Sequence, residues 1–181
     1  MIDFGAVPLP TDSNTAMLIK TTPLLLALTL ALAPACGGGK DARALVSEAN
    51  TALNSGDYAA ALSSFDAALG AIEPADAALR RDAELGRCEA LAYVDANKAK
   101  SEFLALADRE TLNYSAYNTV AVALTSEQKF DEAIAVLTKG KEKLPDEPKF
   151  EKLVQKVGDA AKNAGAGDAM KALEGLGYVG N

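Results

Sequence analysis

The chain has 181 residues, with 25 acidic side chains against 18 basic ones, a net charge of −7, two cysteines and no histidine or tryptophan. So acidic a chain, with no evident basic face, is a poor fit to nucleic acid, and the absence of histidine removes the commonest general base and metal ligand. Abundant alanine and few aromatics favour closely packed helices over sheets.

Residues 1–16 contain Asp3, Asp12, two prolines and no lysine or arginine. None of these suits an export signal. The expectation is that translation starts at Met17 and that 1–16 is an artefact of start-site assignment. From Met17, Lys20 supplies a positive end, and Leu24 to Ala33 is an apolar run interrupted by one threonine. Spanning a bilayer takes ~20 apolar residues, so this run is too short for a stable anchor. Ala33-Pro34-Ala35-Cys36, followed by Gly37-Gly38-Gly39, resembles a bacterial lipoprotein signal. The resemblance implies cleavage after Ala35, a lipid on Cys36, and a glycine tether over 36–40. The chain departs from that pattern at Ala33, where leucine is usual; Leu32 lies one residue earlier. An ordinary A-x-A cleavage site, with Cys36 incidental, is the alternative. Gly39-Lys40 does not end a phosphate loop, because Asp41 stands where Ser or Thr is needed and Pro34 where glycine is needed.

Removing 1–35 leaves roughly 145 residues, enough for one core burying about 68–70% of the unfolded surface. In the first unit, about 41–74, Leu45, Ala49 and Ala52 form a helical stripe. Asn54-Ser55-Gly56-Asp57 is a turn, with Gly56 suited to a left-handed cap and Asp57 to the next N-cap. Tyr58, Ala61, Leu62, Phe65, Ala68 and Leu69 make the second stripe. The second unit, about 75–111, holds Leu85-Gly86 and Ala99-x3-Phe103, with a turn near Asp95. Extra residues are expected in a lengthened helix around Ala78 to Arg81.

The third unit, 114–145, is the clearest. Tyr114, Tyr117, Val120, Ala121 and Leu124 share one helical face, Glu127-Gln128-Lys129 is the turn, and Phe130, Ala133, Ile134 and Leu137 share the next face. Asp131 and Glu132 in the first turn and Lys139, Lys141 and Lys143 near the last suit the helix dipole. Pro145 closes the unit. Beyond it, Phe150, Leu153, Val154, Val157, Ala160 and Ala161 predict a helix that caps the end with its outer side in solvent. After Gly165-Ala166-Gly167, Asp168 could cap a short helix bearing Met170, Leu173 and Leu176.

Tyr117-x2-Val120-Ala121-x2-Leu124, Ala133-x3-Leu137 and Pro145 resemble the tetratricopeptide repeat, W-x2-L-G-x2-Y…A-x3-F…P. Ala121 and Ala133 would be its close-contact sites, with Ala61 and Ala99 corresponding to Ala133 in the earlier units. The resemblance implies an all-α fold: a right-handed superhelical stack of about three hairpins over 41–164 with a capping helix, then a short helix and tail over 165–181. It also implies that the first helix of each unit lines a groove. Val46, Asn50, Asn54, Asn118, Val122 and Ser126 are the candidate peptide-binding residues, the asparagine amides being able both to donate to and accept from a peptide backbone. Family members with a basic clamp for a C-terminal carboxylate carry lysine or arginine where this chain has Val46, Ser115 and Thr119, so that role is not implied here.

No residue set points to catalysis or to a cofactor. Cys88, beside Leu85 and Leu91 in a helical pattern, reads as core, with a Cys36–Cys88 disulfide as the alternative if Cys36 carries no lipid. Asp131-Glu132 and Asp146-Glu147 read as helix-start residues rather than acid–base couples. The expected function is a non-enzymatic adaptor or scaffold, lipid-anchored at the outer membrane facing the periplasm and binding a protein partner. The alternatives are a structural subunit of an envelope complex and a carboxylate-dependent envelope hydrolase.

Overall fold

The computed structural model describes residues 41–176. The leader, Cys36, the glycine tether and residues 177–181 lie outside the described residues. What is described is all-α, with no strand: α1 (Ala42–Asn54), α2 (Tyr58–Ala71), α3 (Ala77–Val94), α4 (Ala96–Arg109), α5 (Tyr114–Ser126), α6 (Phe130–Lys143), α7 (Lys149–Asn163) and α8 (Gly167–Gly175).

Local chemistry sets most helix starts. Asp41, Asp57, Asp76, Asp95 and Asn113 each accept a hydrogen bond from a backbone N–H two or three residues on, opening α1 to α5. Each such cap contributes ~1 kcal/mol. Helix α6 has no side-chain cap, but Asp131 and Glu132 lie in its first turn and Lys141 and Lys143 in its last, which favours it through the dipole. At α7 the Glu147 carboxylate accepts from the Lys149 N–H. Asp168 differs from expectation: it falls inside the first turn of α8 and makes no cap, since the helix already starts at Gly167.

Three helices end in one kind of turn. Gly56, Gln128 and Gly165 all have positive φ. After each, the next N–H reaches back five residues: Asp57 to Ala52, Lys129 to Leu124 and Ala166 to Ala161, all at 2.9 Å. This Schellman pattern satisfies carbonyls that the helix end would otherwise leave open. Glycine announces it at two places; at Gln128 a non-glycine residue adopts it. Between α3 and α4 a single residue, Asp95, ends one helix and caps the next. The extra residues of the second unit lie in a lengthened helix: α3 has 18 residues, against 13 in α1 and in α5.

Each odd-numbered helix touches the next odd one, from α1 through α3 and α5 to α7. Likewise α4 touches α6, and α6 touches α8. Small side chains make these approaches possible. Ala61, Ala99, Ala121 and Ala133 are all completely buried. Gly86 lies against the Phe65 ring, and Gly140 against Phe150 and Tyr117. Tyr117 forms edge contacts with Phe103 at 5.3 Å and Phe150 at 5.8 Å between ring centroids, joining α4, α5 and α7. Such pairs add ~0.5–1.5 kcal/mol beyond area burial.

The C-terminal end is closed by α7 and the short α8. Phe150, Leu153, Val154, Val157 and Ala161 of α7 are buried. Helix α8 packs on both α6 and α7 and buries Ala169 and Leu173. Because α8 has its own apolar face, the end is a helix pair. Ion pairs tie the layers across: Arg87 of α3 bridges Asp66 of α2 and Glu102 of α4, and Lys139 of α6 meets Asp108 of α4 at 2.8 Å. The Lys139 hydrogen bond holds the Asp108 carboxyl below the usual range.

Candidate functional site

A groove of about 330 Å³ opens along the odd-numbered helices. Helix α1 contributes Asn50, and α3 contributes Asp82, Leu85, Gly86 and Glu89, residues at helical spacing on one face. Helix α5 closes it with Ser115, Ala116, Thr119 and Val120, and Asn113 stands at its N-cap. The lining holds two carboxylates and no basic side chain. Its volume is at the lower end of ligand pockets, ~300–1,000 Å³.

Glu89 is half-buried and makes no hydrogen bond or ion pair among the described residues. Burial therefore raises its carboxyl above the ordinary range, as expected when no cation offsets lost hydration. One turn further along α3, Tyr93 stacks flat on Tyr58, with centroids 4.0 Å apart and planes 3° from parallel. Burial first, then Tyr93 and the carboxylates of Glu127 and Glu89, push the Tyr58 phenol up. The groove lining thus combines amides and hydroxyls with Glu89, and the aromatic pair lies one turn further along α3.

Of the six residues expected to line a groove, Asn50 lies in the lining. Val46 is only 8% exposed and sits in the core between α1 and α2, which corrects the expectation that it faces outward. Asn54 and Ser126 are exposed at the ends of their helices, and the Ser126 hydroxyl donates back to the Ala123 carbonyl. Asn118 is half-buried with its side chain 3.4 Å from the Tyr114 hydroxyl, and Val122 packs partly against the core. Ser115 and Thr119, which are not among those six, do line the groove. In α5 the open face therefore lies about one residue, or 100°, round from the expected one. Asp82 and Glu89 escape a sequence reading that looks for the groove only in the outer units. Their signal is two acidic residues seven apart on a helix whose other face is apolar.

Other chemistry-bearing groups resolve into structural roles. Cys88 is buried and its thiol is pushed up to about 12, burial being the chief cause, which makes it a poor nucleophile. Asp82 and Glu89 are separated by about 10 Å along the helix axis, at ~1.5 Å per residue, too far to act as a close carboxylate couple. Among the described residues no three metal-ligating side chains converge, and no helix is long and apolar enough to cross a membrane. A second cavity of about 200 Å³ between the end of α4 and the end of α6 includes Tyr117, whose buried hydroxyl lacks a hydrogen-bond partner. No protein-family model matches this chain, and searches of curated proteins and of solved structures find no significant match.

Proposed function

We propose that the chain is a tetratricopeptide-like lipoprotein of the bacterial envelope, acting as a non-enzymatic adaptor that holds a protein partner by an extended peptide in the groove of α1, α3 and α5. The observation that carries this reading is the contact pattern: odd-numbered helices touch in series, and three of them share one groove. Contacts between successive equivalents are what a right-handed superhelical repeat stack requires. The repeat resemblance at Tyr117, Val120, Ala121, Ala133 and Leu137, all buried, supports it further. The Ala35-Cys36 signal pattern supports the anchor, and Gly37 after the cysteine supports an outer-membrane rather than an inner-membrane site, facing the periplasm.

The test joins the anchor to the surface. Native protein and Cys36→Ser are grown with labelled palmitate, and a photo-crosslinking side chain is placed at Thr119 in the groove or at exposed Ser101 on α4. The reading expects a label lost in Cys36→Ser and crosslinks from Thr119 but not from Ser101. An unlabelled native protein refutes the anchor. Crosslinks confined to Ser101 refute the groove and favour a structural subunit that docks by its other face.

A further inference from the structure

Both charged residues of the groove lining come from α3, and among the described residues no cation pairs with Glu89. Glu89 comes from the middle of α3, half-buried and without an ion pair. Asp82 lies two turns before it and meets only its neighbour Arg81, at 3.8 Å. Across the groove, Asn50, Ser115 and Thr119 offer amide and hydroxyl groups that make no hydrogen bonds to other described side chains. One turn beyond Glu89 on α3, half-buried Tyr93 stacks on half-buried Tyr58.

We propose that the groove selects an extended peptide segment bearing a lysine or arginine, whose cation sits against Glu89 with its stem toward the tyrosine pair. This rests on the peptide-groove reading above and adds the chemistry of the peptide. A half-buried carboxylate that has lost water gains most from a cation that replaces it. Amides and hydroxyls that both donate and accept match the alternating groups of a backbone without regard to its sequence. The half-buried tyrosine pair gives the alkyl stem of a lysine or arginine apolar surface to lie along. A glutamate-rich or purely apolar segment would leave Glu89 repelled or still unpaired.

The experiment uses full-length protein in detergent and a positional-scanning library of end-capped hexapeptides, read by fluorescence anisotropy. At one position, lysine or arginine is expected to strengthen binding at least tenfold over glutamine. Glu89→Gln, nearly the same in shape, should reduce that preference below threefold while the glutamine-bearing peptide binds as before. A preference for acidic or apolar residues, or a cation preference unchanged in Glu89→Gln, overturns the inference and leaves the groove reading standing. Absence of any peptide binding, or binding untouched by Thr119→Trp, overturns both. Spermidine competing as well as the best peptide would overturn a peptide as the occupant. Where circular dichroism shows Glu89→Gln misfolded, Glu89→Met replaces it, and a cation preference unchanged there counts against the proposal.

Discussion

Replacing Gly86 by alanine should destabilise the protein by about 1–2 kcal/mol, although alanine is the better helix former. The propensity gain alone is ~0.8–1 kcal/mol. Against it, a Cβ on Gly86 would stand 2.7 and 3.1 Å from two carbons of the Phe65 ring, and nearer still to Cζ. Carbon pairs rest at about 3.5–4.0 Å. Phe65 is completely buried, so its ring can move only by displacing other core atoms. Overpacking of this kind costs ~1–3 kcal/mol, and collision with three ring atoms argues for the upper half. Gly70, in the last turn of α2, has nothing within 4 Å of its would-be Cβ. The identical change there should stabilise by up to ~1 kcal/mol. Urea unfolding followed by circular dichroism reads both, and Phe65→Leu added to Gly86→Ala should recover ~1 kcal/mol of coupling. A Gly86→Ala protein as stable as the parent would refute this account of how α2 and α3 pack.

Tyr117→Phe removes a buried hydroxyl without a partner and should raise stability by about 1 kcal/mol, or ~3–5 °C in a thermal melt; a loss of that size would mean the hydroxyl is bonded. Gln128→Gly should stabilise by ~0.5–1 kcal/mol in urea, because Gln128 has φ +58 and a left-handed non-glycine residue costs ~1–2 kcal/mol, offset partly by glycine's chain entropy. Burial raises the Glu89 carboxyl in the folded protein, so its contribution to stability falls as pH rises from the unfolded pKa through the folded one. Glu89→Gln should then stabilise at pH 7, with the gain shrinking toward pH 3; a gain independent of pH would contradict that cause.

Periodicity and punctuation in the chain determined that the described part is helical, and where most helices start and stop. Apolar residues at steps of three and four mark α2, α5, α6 and α7, and Asp57 at an N-cap and Gly56 in a left-handed turn are local choices readable from neighbouring residues. The buried alanines Ala61, Ala99, Ala121 and Ala133 are legible for the same reason: small residues recur where helices must approach.

Tertiary packing decided which face stays open. Val46 and Glu89 both sit on helices that line the groove, yet one is in the core and the other half-exposed with no ion partner. The difference of a hundred degrees or so around a helix depends on how α1, α3 and α5 rotate against one another, and that is set by contacts between residues far apart in the chain, such as Gly86 with Phe65. For the same reason α8 closes the end of the core only once α6 and α7 are side by side. A helix pattern carries its own periodicity, but the rotation of one helix against its neighbours is a property of the assembled core.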